Sequence, residues 1–114
     1  MDAALLGGLV DQWVWRCQMV VTDFQLGRPI DFNGEVEMLV AQAEKQARLL
    51  DGDGLILLVK VEDRLALSAH MARRRGLPRP DVCDPTNLHG RADALHVLAA
   101  AFSRAVDRLK PAAA

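Results

Sequence analysis

The chain of 114 residues contains no tyrosine, and Phe and Trp together make up only 4% of it. Val, Ile and Thr are also sparse, at fifteen in all. These are the residue types that fill pleated strands, so their scarcity excludes an all-β sandwich or barrel. Only two cysteines occur, Cys17 and Cys83, with neither the number for a disulfide framework nor a zinc or redox spacing. No apolar run, Leu55 to Val59 included, comes near the roughly 20 residues that cross a bilayer. Charge of one sign is not in excess either: 14 basic side chains stand against 15 acidic ones, for a net charge of -1. That balance argues against a general nucleic-acid or membrane-surface binder. The Met1-Asp2 opening has no basic n-region, so a secretory signal is not expected and a cytoplasmic location is.

What the chain does have is Ala and Leu, seventeen of each. Both favour helices. The sequence therefore predicts an all-α domain of about four helices over residues 1–110, a bundle or an irregular array, with a frayed tail at 111–114.

The apolar spacing places the elements. Leu6, Leu9, Val10, Trp13, Val14, Cys17, Val20, Val21 and Phe24 recur at three- and four-residue steps, predicting a first helix over about 3–26. Gly27 then stops it, because glycine accepts the left-handed C′ conformation. A second helix is expected from an Asn33 N-cap, with a core stripe of Val36, Leu39, Val40, Ala43, Ala47 and Leu50 and an exposed Glu44–Arg48 pair. The run Leu55 to Val61 reads as either strand or helix, since short apolar runs look alike in both. No second strand is available to pair with it, so a third helix from an Asp53 N-cap to Arg75 is the preferred reading, a short strand over 55–61 being the alternative. Pro78, Pro80 and Pro85 then impose a loop. Asp84 or Asn87 caps the last helix, whose stripe is Leu88, Ala92, Leu95, Leu98, Ala99, Phe102, Val106 and Leu109.

Several groups invite a chemical reading. His89, Asp93 and His96 lie at i, i+4 and i+7 and would share one side of a helix, as a metal site requires. That side is opposite the Leu95–Phe102 stripe, however, and lacks an obvious fourth ligand, so a solvated polar face is the simpler reading. Asp51, Asp53 and Glu62 fit three positions of a calcium loop, but Ile56 stands where its glycine belongs. Arg73, Arg74, Arg75 and Arg79 form the one basic cluster and suit phosphate contacts. Cations at a helix C-terminus are equally favoured by the dipole, and no aromatic residue is interleaved for base stacking. Glu62 would fall between Leu58 and Leu65 on the apolar side and need a partner there. Cys17 reads as a small core residue and Cys83 as a loop thiol. No nucleophile–base pair is evident, and no cofactor is expected.

The first helix carries the most informative surface. Trp15, Met19 and Leu26 lie on the side away from the Trp13–Cys17–Phe24 stripe, together with Gly8, Asp11, Gln12 and Thr22. Interface cores are enriched in Trp and Met, and Gly8 would permit close approach. The competing reading is that the loop from Gly76 to Pro85 covers this side. The expected function is a non-catalytic regulatory or adaptor protein that acts by helical protein–protein contact. It would be a homodimer or would sequester a larger partner, as an antiactivator or small chaperone does. A nucleic-acid-associated protein using Arg73–Arg79 is the alternative, and a metal or small-ligand binder at His89, Asp93 and His96 a weaker one.

Overall fold

The computed structural model describes residues 1–76 and 87–111. They form four helices and, among the described residues, no strand: α1 (Ala3–Gln25), α2 (Phe32–Leu49), α3 (Gly52–Arg75) and α4 (Leu88–Leu109). The strand alternative over 55–61 is thereby corrected. Leu57, Leu58 and Val61 are fully buried on one side of α3, while Ile56 and Lys60 are exposed on the other. Helical burial of that kind replaces the ladder partner that a lone strand lacks.

Each helix touches the other three, and α3 and α4 make the most extensive contact. They also supply the largest fully buried side chains, Leu57, Leu58 and Leu65 from α3 and Leu95, Leu98 and Phe102 from α4. α1 lays Leu6, Val10, Trp13, Val14, Cys17 and Val21 onto this core, and α2 adds Val36, Leu39, Val40, Ala43 and Ala47. Leu9, Val20, Phe24, Leu50 and Leu109 pack at its margin, half-buried.

The helix ends follow local chemistry. α1 closes in a Schellman turn: Gly27, with φ at 73°, bonds through its N–H to Phe24 O, and the Arg28 N–H reaches back to Asp23 O. Its start is capped by Asp2, which accepts from the Ala4 N–H at 3.0 Å. α2 begins at Phe32 behind Asp31, two residues earlier than an Asn33 cap would set it. Asn87 is the cap of α4, accepting from the Gly90 N–H at 2.9 Å. Between α2 and α3 the turn is tight. Asp51, not Asp53, occupies the cap position, with φ at 52°, and a Cβ on the buried Gly54 would lie 1.8 Å from Ala47 O. Gly54 lets the start of α3 lie against the end of α2.

One polar cluster lies inside the fold, joining residues far apart in sequence. Gln25 is buried at the end of α1, donates through Nε2 to Asn87 O at 2.8 Å, and accepts from Arg91 at 3.3 Å. It fastens the last turn of α1 to the first turn of α4. Burial lowers the pKa of Arg91, which also donates to Thr22 Oγ1 at 3.3 Å.

Candidate functional site

Burial of one face of α1 fixes what its other face presents. With Trp13 and Cys17 in the core, Trp15 projects outward and is 62% exposed, Leu26 46% and Met19 39%. Gly8 and Gln12 are exposed beside them, and Thr22 is half-buried. Leu5, 65% exposed, extends the same face by one turn. Sequence reading passed over it, although its place three residues before Gly8 was visible. The seven positions 5, 8, 12, 15, 19, 22 and 26 alternate steps of three and four without a break. Such a row stays on one side of a helix along its whole length.

No charge lies on that row, and the charges near it are held sideways or at the helix ends. Asp11 pairs with Arg64 of α3. Arg16 folds over the Trp13 ring, 4.5 Å from its centroid, and donates to Gln42 of α2 at 2.6 Å. Asp23 pairs with Arg28 and Asp2 is the cap. The outward faces of the other helices differ. Met38 and Leu49 share α2 with exposed Lys45 and Arg48; Ile56, Leu67 and Met71 share α3 with exposed Lys60, Asp63, His70 and Arg74; Val97 shares α4 with exposed Asp93, His96 and Arg104. Scattered apolar side chains among charges are ordinary surface. An uncharged row about 33 Å long, at 1.5 Å per residue, is not. The segment suggested as its cover falls mostly on residues 77–86, which lie outside the described residues.

The basic cluster is only partly assembled. Arg73 donates to Asp93 of α4 at 2.7 Å, and Arg74 and Arg75 are exposed and make no ion pair among the described residues. Arg79 and Cys83 lie outside the described residues. The same ion pair occupies the middle member of the His89, Asp93 and His96 row. His89 is also engaged, its Nε2–H donating to Gly76 O at 2.7 Å, and His96 stands exposed. Among the described residues no three His, Cys, Asp or Glu side chains gather as a metal would require. Glu62 is half-buried at the edge of α3. Burial pushes the Cys17 thiol up to about 12, against a smaller opposite pull from Arg16, so it is protonated at neutral pH.

Two grooves remain. One of about 570 Å³ runs between α2 and α4, floored by Val36, Val40 and Ala101 and rimmed by Glu44, Arg48, Arg104 and Arg108. Glu44 joins both sides of it, accepting from Arg48 at 2.8 Å and from Arg108 Nε at 2.9 Å. Burial raises its carboxyl, but the bonds from the two arginines outweigh that and hold it below its ordinary value. The Arg48 contact was legible as an i,i+4 pair, whereas Arg108, 64 residues away, was not. The second groove, about 450 Å³, is walled by Phe24, Phe32 and Val97. No family model, no curated protein and no solved structure matches this chain.

Proposed function

We propose that the protein is a non-catalytic regulatory or adaptor protein whose working surface is the outward face of α1. The observation that carries this reading is the uncharged row from Leu5 to Leu26, with Trp15 and Met19 exposed at its centre. Trp is the residue type most enriched among side chains that dominate binding energy, and Met adapts its shape to a partner. An exposed indole on a monomer surface gains about 1–2 kcal/mol or more when a partner covers it. The groups that would carry chemistry are otherwise engaged: Asp93 with Arg73, His89 with Gly76 O, and Cys17 inside the core. Sequestration of a larger cytoplasmic partner, in the manner of an antiactivator or small chaperone, is the concrete form proposed, with self-association through the same face.

The test is the double variant Trp15→Glu with Met19→Glu, compared with wild type by quantitative co-purification from the native cell. Trp15 is 62% exposed and Met19 39%, and neither belongs to the buried core, so the variant is expected to keep its helical circular dichroism and lose what wild type retains. A variant that unfolds, or that retains the same associations, refutes the assignment.

A further inference from the structure

Two features of the α1 face mark where a covering element would lie. A glycine inside a helix weakens it relative to alanine. Nothing in this fold demands one at position 8, since a Cβ there would meet no atom within 4 Å; the same holds for Gly7, and what sets Gly8 apart is its place on the uncharged row. Trp15, two turns further on, holds out an indole N–H that needs an acceptor once the ring is covered. Both point to something lying directly on the helix, close at one end and hydrogen-bonding at the middle.

We infer that this covering element is α1 of a second copy, packed antiparallel about a twofold axis level with the peptide bond between Trp13 and Val14. The inference rests on the reading of this face as an interface and names its occupant. The alternating steps of three and four suit a pair of helices crossing at a shallow angle with side chains interdigitated. In the antiparallel arrangement the layers are Leu5 on the half-buried Thr22, whose hydroxyl is held by Arg91 of its own chain, Gly8 on Met19, and Gln12 on Trp15, each occurring twice by symmetry. Every layer joins a larger side chain to a smaller one. Met19 fills the space that Gly8 leaves, and Gln12 offers its carbonyl to the Trp15 N–H. The fold already contains that pairing between helices, because Trp13 Nε1 donates to Gln46 Oε1 at 2.6 Å across α1 and α2.

A parallel pair would set like against like, leaving a hole at Gly8 on Gly8 and two indoles at one level. The sizes therefore select the antiparallel second copy. Its extent sets its strength. Seam and flanks comprise about 13 residues of each copy, which at the usual 30–40 Å² per interface residue is about 400–500 Å² per copy. That is about 800–1,000 Å² in total, below the roughly 1,200–2,000 Å² of stable specific interfaces, so the dimer is a weak and reversible one, micromolar or weaker.

Sedimentation across micromolar to millimolar protein tests the pairing. Wild type is expected to pass from monomer to dimer. Gly8→Leu leaves the monomer folded, since the position is exposed and a Cβ there meets no atom within 4 Å, but overfills the layer with Met19 and weakens self-association by about tenfold or more. Adding Met19→Ala to Gly8→Leu empties the opposite half of the layer and restores the dimer. Orientation is read in a Cys83→Ser background, where oxidation is expected to join Leu5→Cys chains to Thr22→Cys chains and not Thr22→Cys chains to one another. A wild type that stays monomeric throughout overturns the inference. Loss of cellular associations in Trp15→Glu with Met19→Glu would then still stand for the face as an interface with another protein. Thr22→Cys chains that link to themselves overturn the antiparallel order, and Gly8→Leu with no effect overturns the register.

Discussion

Trp13 and Trp15 are two residues apart on α1, and truncating them is expected to have very unequal consequences for stability. Trp13 is 6% exposed, its N–H is bonded to Gln46, and the Arg16 guanidinium lies over its ring. Trp13→Ala removes the ring from the core, at about 3–5 kcal/mol for a buried large-to-small change. It also loses a cation–π contact worth about 0.5–1 kcal/mol. Against the roughly 5–15 kcal/mol that holds a domain of this size together, such a loss leaves a barely folded protein. Trp15→Ala removes a side chain that is mostly in water already. Its remaining burial contributes about 1 kcal/mol, and the better helix propensity of alanine returns about 0.5 kcal/mol. The assay is urea denaturation of each variant at a concentration low enough to keep the chain monomeric, read by helical circular dichroism. Trp13→Ala is expected to lower the midpoint steeply and Trp15→Ala to leave it nearly unmoved. Equal losses, or a Trp15→Ala loss above about 2 kcal/mol, would mean that Trp15 belongs to the core and that the outward face is misassigned.

Gly54→Ala places a methyl group 1.8 Å from the Ala47 carbonyl, so α2 and α3 must part; a loss of about 3 kcal/mol is expected in thermal melts, and an unchanged melting temperature would contradict the close packing at that turn. Glu44→Gln is expected to cost about 1 kcal/mol at neutral pH. The folded carboxyl lies below its ordinary value of 4.5, so this contribution is complete above that value and disappears as pH falls through the folded one. Unfolding measured at neutral and strongly acidic pH should therefore show the difference only at the former, and a constant difference would refute the role of the arginines. Duplex DNA is expected to bind weakly and without change on Arg74→Ala at near-physiological salt. Affinity that falls steeply with salt and is lost on changing Arg73, Arg74 and Arg75 would move the function to the nucleic-acid alternative.

The helices were legible because their signals are local. The Gly27 stop, the Asn87 cap and the stripe of α4 each depend on residues within a turn or two of one another. Where the starts of α2 and α3 shifted by two residues, several acidic or amide side chains competed for the cap and backbone packing decided between them. Leu55–Val61 stayed ambiguous for a related reason. Apolar runs record burial but not period, and only the packing of Leu57, Leu58 and Val61 against α4 and the rest of the core resolves it. The outward face of α1 could be read from spacing, since fixing Trp13 inward sends Trp15 outward. That it is free of charge only partly showed, because Asp11 appeared to share the face until its pairing with Arg64 turned it aside. The Gln25–Asn87–Arg91 cluster and the Glu44–Arg108 bond join residues more than 60 positions apart, and no local pattern encodes such contacts.

The central claim is that the α1 face is covered when the protein works. Hydroxyl-radical footprinting measures it directly, because Trp and Met side chains oxidise readily and the chain supplies its own controls. Met38 on α2 and Met71 on α3, 49% and 40% exposed, report the reactivity of ordinary surface beside Met19 at 39%. The experiment compares dilute purified protein with protein labelled inside its native cell. Trp15 and Met19 are expected to oxidise freely in the dilute sample and to be protected in the cell, with Met38 and Met71 modified equally in both. If Trp15 and Met19 are modified in the cell as fast as those two methionines, the face is open water and the account fails.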